Sequence, residues 1–159
     1  MAASDRTVVP QAKVALTITL ASLAASTAGV GRQSTLVNNS SKYPAALVAI
    51  KTKLGTSPTA GTVQVYLIRT DDSTPTIADD GAGLSDAALT VVGAQFLGTL
   101  PTKASPSTGD VLQAVFDTAP CGPLCGYWGI AIVNSTGVAL DSTGGNHTAE
   151  YLYYQDEMS

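Results

Sequence analysis

Charge is what this 159-residue chain has least of: Asp, Glu, Lys and Arg make up 13% of it, against about 25% in an average soluble domain. Long amphipathic helices are usually kept in solution by charged faces, so so few charges argue against a helical bundle. Histidine occurs once, at His147, and cysteine twice, at Cys121 and Cys125. A tetrahedral zinc site needs four such ligands, so a structural zinc is excluded on ligand supply. Cys121 and Cys125 in "APCGPLCGYWG" have three residues between them, one more than the redox C-x-x-C spacing. The pair fits either a local disulfide formed in oxidising surroundings or two reduced thiols. No apolar run reaches the roughly 20 residues of a membrane span. There is no basic tract with interleaved aromatics, so the footprint of a nucleic-acid binder is missing too.

Catalytic patterns are equally sparse. No G-x-S-x-G elbow accompanies His147, so a Ser-His-Asp arrangement has no nucleophile setting. The acids fall mostly between the apolar segments instead of on them, which is unlike the paired carboxylates of a glycosidase cleft. "RTDDSTPTIADDGAGLSD", Arg69 to Asp86, holds Asp71, Asp72, Asp79, Asp80 and Asp86. An EF-hand loop needs oxygen ligands at alternate positions and a Glu at the twelfth, and neither register from Asp71 or Asp79 supplies them. The expectation is a solvated acidic loop with no metal and no cofactor.

What the chain does have is hydroxyls and alternation. Ser and Thr together number 34. In "VALTITL", Val14, Leu16, Ile18 and Leu20 share one face of a period-2 ribbon, with Ala15, Thr17 and Thr19 on the other. Asp5, Pro10 and this alternation separate the segment Lys13 to Gly29 from an export signal, so the four Asn-x-Ser/Thr sequons read as chance matches. Strands are expected likewise in "QSTLVNN" from Gln33, "ALVAIKTKL" from Ala46, "TVQVYLIR" from Thr62, "AQFLGTL" from Ala94, "DVLQAVFD" from Asp110, "YWGIAIVN" from Tyr127 and "TAEYLYY" from Thr148. Gly, Pro, Ser and Asp separate them, in "GTSPTAG", "PTKASPSTG" and "DSTGGN". A single short helix or turn is expected in "LSDAALTVVGA" from Leu84, with Ser85 or Asp86 as N-cap. The fold class is therefore all-β, a β-sandwich or jelly roll of about eight strands over residues 14–159. An extended N-terminal arm over residues 1–13 precedes it.

Charge is divided unevenly. Residues 1–53 carry six basic residues against Asp5 alone, a net of +5, and residues 54–159 carry Arg69 and Lys103 against eleven acids, a net of −9. An arm without a periodic apolar face gains nothing by folding alone. It is expected to lie on a neighbouring subunit or lattice, with Val8, Val9 and Pro10 packing as a strand and Arg6 and Lys13 pairing with carboxylates. Tyr127, Trp128, Tyr151, Tyr153 and Tyr154 are the main aromatic concentration, read as core or subunit interface, with a sugar-binding face as the sharper alternative.

Three segments, "GTSPTAGTVQVYLIRTDD" (55–72), "DGAGLSDAALTVVGAQFLGTLPTKASPSTGDVL" (80–112) and "YWGIAIVNSTGVALDSTGGNHTAEYLYY" (127–154), resemble small virion structural proteins of tailed bacteriophages. The resemblance covers roughly residues 33–154; the cysteine loop Pro120–Gly126 departs from it, and it supplies no functional residues. It implies a non-enzymatic subunit made in the bacterial cytoplasm and incorporated into the virion. Head decoration or cement is the leading role, with the major capsid protein and copies of itself, as dimer or trimer, as partners. A tail, neck or baseplate component is the alternative within that class. A secreted carbohydrate-binding module is the alternative outside it. Neither nucleic acid nor membrane is an expected partner.

Overall fold

The computed structural model describes residues 6–25, 30–58, 61–71, 85–89 and 94–158. The strands are β1 (Arg6–Pro10), β2 (Val14–Ala15), β3 (Val30–Gln33), β4 (Val37–Asn38), β5 (Ala45–Lys53) and β6 (Val63–Thr70). They continue as β7 (Ala87–Ala88), β8 (Gln95–Leu100), β9 (Val111–Asp117), β10 (Tyr127–Asn134) and β11 (Thr148–Met158). Two 3-10 turns, Ala119–Cys121 and Gly144–Asn146, are the helical elements among the described residues.

All the strand pairings are antiparallel and form two sheets. The first runs β1-β11-β5-β9, with β2 also on β11; the second runs β7-β3-β10-β6-β8, with β4 also on β10. β1 and β2 follow the same edge of β11, from Arg6 opposite Met158 to Ala15 opposite Glu150, and one extra residue between Pro10 and Val14 makes a bulge. β3 and β4 likewise follow one edge of β10, with an extra residue between Gln33 and Val37. Counted as continuous strands, eight remain besides β7. From β5 onward the chain crosses between the sheets at every step but β6 to β8, which is the jelly-roll order. The sequence expectation of a sandwich of about eight strands holds.

Alternation positions the core between the sheets. Ala46, Val48 and Ile50 of β5, Leu112 and Phe116 of β9, and Tyr151 of β11 face Val63, Val65 and Leu67 of β6 and Trp128, Ile130 and Ile132 of β10. Each such side chain contributes about 1.5–3 kcal/mol by leaving water. β8 and β9 close one side of the sandwich, where Gly98, at φ +154°, leaves room for the Phe116 ring: a Cβ there would lie 2.8 Å from it.

The other side is closed by residues 16–23, and here the expected strand over Val14–Leu20 is only partly realised. Leu16 and Leu20 are buried and Thr17 and Thr19 exposed, as the alternation requires. The ladder, however, stops at Ala15. Leu16 N–H then donates to Ala149 O in the first sheet, while Thr17 O accepts from Thr35 N–H in the second. The segment is a strap between sheets, ending with Leu23 fully buried. Val14, expected in the core, is 46% exposed because it lies on an edge strand.

The excursion between β6 and β8 holds the second departure. Instead of a helix or turn capped by Ser85 or Asp86, Ala87–Ala88 pairs with Val30–Gly31 of β3. Leu89 is buried over Gly31, where a Cβ would meet Ile132 O at 2.4 Å and the Leu89 side chain at 2.6 Å. Beneath this cover Ile68, Ala131 and Val133, on the outer side of the second sheet, form a separate buried cluster with Leu89, flanked by Leu36, Tyr66, Ala87 and Ala94. Local helix preference of a few tenths of a kcal/mol per residue is overridden by this burial.

Candidate functional site

Arg6–Pro10 of the N-terminal segment form a strand whose partner is in the same chain. Arg6, Val8, Val9 and Pro10 stand opposite Met158, Asp156, Gln155 and Tyr154 of β11, and Gln11 N–H donates to Tyr153 O at 2.7 Å. Lys13 pairs with Glu150 at 2.6 Å, both side chains partly in water. The surface that holds the segment in this structure is thus the last strand of its own sheet, where the sequence reading looked to a neighbour. Pro10, which lacks an N–H, is tolerated because β1 is an edge strand. Pairing of β11 with β5 ends at Tyr154 opposite Ala45. From Gln155 to Met158 the ladder partner of β11 is β1, so the two form a two-stranded ribbon that runs past the three-stranded body. Both edges of that ribbon lack a ladder partner among the described residues. Such ribbons are marginal alone and accept an added strand through their free backbone groups.

The expected acidic loop divides. Asp72, Asp79 and Asp80 lie outside the described residues, and Asp71 is exposed. Asp86 accepts from Arg32 Nε at 2.5 Å and from Ala24 N–H at 3.2 Å. The Arg32 guanidinium, only a tenth exposed, also donates through Nη1 to Thr19 O and Ala21 O. Asp86 therefore clamps the excursion to the strap and to β3. Among the described residues no three His, Cys, Asp or Glu side chains converge on a point where a cation would sit.

Cys121 and Cys125 are unbridged in this structure. Their loop is held by hydrogen bonds instead: Asn39 Nδ2 donates to Tyr43 O and Cys125 O, and Arg69 Nη1 donates to Pro123 O. Cys125 is exposed at the rim of a cleft of about 480 Å³ shared with Asn38, Asn39, Lys42 and Tyr127.

The aromatic concentration belongs chiefly to the core. Trp128, fully buried, donates through Nε1 to Tyr153 Oη at 2.8 Å and meets Tyr151 and Tyr153 edge-on. Tyr43 stacks on Tyr153 at 4.5 Å. Burial pushes the Tyr153 phenol up to about 12 and raises that of Tyr151. A sugar platform needs exposed rings, and these are packed against one another.

The His147 ring has two hydrogen-bond partners. Its Nε2 lies 2.8 Å from Asp141 O, and since a carbonyl only accepts, Nε2 carries a proton. Nδ1 is 2.7 Å from Thr52 Oγ1. Thr52 is fully buried, so this hydroxyl–imidazole pair fastens the 141–147 loop to β5 and offers no nucleophile to solvent. The Asp141 carboxylate is bound within that loop by Asn146 Nδ2 and Thr143 N–H, in that order the causes of its lowered pKa. No sequence signal links residues 52 and 147, which lie 95 positions apart.

The chain matches no protein-family model and no curated protein. No helix among the described residues is long and apolar enough to cross a membrane.

Proposed function

We propose that this protein is a non-enzymatic structural component of a tailed-bacteriophage particle, a head decoration or cement protein that binds and stabilises the capsid lattice. The observation that carries the reading is the ribbon of β1 and the end of β11, extended past the sandwich with both edges free of ladder partners among the described residues. Strand addition to such an edge gives attachment through backbone hydrogen bonds, which tolerate a repeated and chemically plain lattice surface. The fold itself serves several readings, because jelly rolls occur in viral capsid proteins and in lectins alike. The difference lies in the site. A lectin reading needs an aromatic platform in water, and Trp128, Tyr151 and Tyr153 are occupied in the core.

Attachment is tested by deleting residues 2–12. The truncated chain is expected to keep the far-ultraviolet spectrum of the intact sandwich and to lose most of its occupancy on particles. Full occupancy, with unchanged resistance of the particle to salt and heat, would remove the ribbon from the attachment surface. Antibody labelling of particles viewed by negative stain separates head from tail: label on the tail, neck or baseplate overturns the decoration assignment.

A further inference from the structure

Among the described residues no segment covers the outer face of the first sheet, and its side chains have a definite layout. Three rows cross β11, β5 and β9: Leu152–Leu47–Asp117, Glu150–Ala49–Val115 and Thr148–Lys51–Gln113. Ala15 of β2 extends the middle row beside Glu150. Apart from Glu150, which is paired with Lys13, the middle row is small and apolar, and Val115 is 64% exposed there. Charge falls at opposite ends along the strands. Asp117 stands at one end, accepting from Tyr154 Oη. Exposed Lys51 stands two residues from the Ala49 row at the other, with Lys53 beyond it. The remaining nearby acids are already engaged: Glu150 by Lys13, Asp110 by Lys103, and Asp141 by its own loop.

We infer that this face binds a second copy of the same chain, sheet on sheet, about a two-fold axis that lies in the interface across the strands at the Ala49–Val115 row. A two-fold contact requires a patch complementary to itself. An axis along the strands would set Lys51 against Lys51. An axis across them exchanges the two ends, so Lys51 of each copy meets the row that carries Asp117 in the other, while Ala49 and Val115 meet their own counterparts. Glu150 also meets itself there, but as half of an ion pair with Lys13. Four strands about 5 Å apart and about nine residues long make a face of roughly 600 Å² per copy, at the low end for a specific interface, so dissociation in the micromolar range is expected. The dimer or trimer expected from the sequence names no surface; the present inference does, and it stands whether or not the protein decorates a capsid.

Sedimentation equilibrium of the isolated full-length chain from about 1 to 200 µM tests it without any particle. The wild type is expected to be a monomer–dimer system. Lys51→Asp alone and Asp117→Lys alone each place like charges at both symmetric contacts and are expected to raise the dissociation constant at least about tenfold. An equimolar mixture of the two variants places opposite charges at both contacts and is expected to recover the dimer. Melting curves check that each variant is folded; Val115→Asp, at an exposed position two residues from Asp117, is expected to abolish the dimer with the fold intact. A wild-type monomer at 200 µM overturns the inference, as does a dimer indifferent to Val115→Asp or a mixture that fails to pair. A monomer whose Val115→Asp variant no longer binds particles would instead assign the face to the capsid.

Discussion

The two sheets meet the same core but treat their outer faces in opposite ways. On the second sheet, Ile68, Ala131 and Val133 point away from the core and are nonetheless buried, because Ala87–Leu89 lie over them and are clamped there by Asp86 on Arg32. On the first sheet, Leu47, Ala49, Leu152 and Val115 occupy equivalent outward positions, and no segment among the described residues covers them. An apolar strand face is thus not by itself a sign of core or of interface. What distinguishes the two is whether the same chain supplies the cover.

The strongest way to break this contrast is to make one substitution on both faces. Val133→Asp buries an unpaired carboxylate and is expected to cost about 3–5 kcal/mol in denaturant unfolding. Val115→Asp, studied at a dilution where the chain is monomeric, is expected to cost less than about 0.5 kcal/mol. Similar costs at the two positions would mean that the faces do not differ in this way. Next in size, Asp86→Ala leaves Arg32 with two carbonyls and no carboxylate, and is expected to lose about 2 kcal/mol. Hydrogen exchange at the β3–β7 pairing should quicken in that variant. If it does not, the clamp is not what holds the cover.

The shared core sharpens the comparison through pH. An unfolded tyrosine ionises near about 10, whereas Tyr153 stays protonated to about 12 and Tyr151 is shifted in the same direction. Their protonated forms favour the fold, so this stability is fully present below pH 10 and is lost as pH rises towards 12. The melting temperature is expected to fall across that window, and less so in Tyr153→Phe. The smallest effect concerns the loop at the end of the sandwich: with Cys121 and Cys125 unbridged, a reductant is expected to leave the melting temperature unchanged. A drop of several degrees would reveal a bridge.

Most strands were legible because polar and apolar residues alternate in them. The expected segments from Ala46, Thr62, Ala94, Asp110 and Tyr127 each fall within a residue or so of β5, β6, β8, β9 and β10, while the segment from Thr148 starts with β11 but stops four residues short of its end at Met158. β9 shows why: Leu112 and Phe116 are buried while Val111, Gln113 and Val115 are not. The cover over the second sheet was misread as a short helix or turn because Ala87 and Ala88 suit helices locally, and only pairing with β3 makes them extended. A signal for that cover was nevertheless present in "GIAIV" of β10. Burial on both faces requires apolar residues in both registers, although "ALVAI" of β5 has the same pattern with an outer face left open by the described residues. The core aromatics and the His147 contacts carried no comparable mark, since each depends on partners far along the chain.

By itself, the sequence determined which residues are extended, which side chains share a face, and where the turns fall, because the two-residue repeat and the backbone freedom of Gly, Pro, Ser and Asp are local properties. Tertiary structure alone decided that residues 6–15 lie along β11, that Arg32 meets Asp86 across 54 positions, and that one outer face is covered while the other stays open. Alternation defines two faces for every strand and is silent about what lies against either. Strand order and the path of the chain between sheets settle that, and both follow from burying many side chains at once.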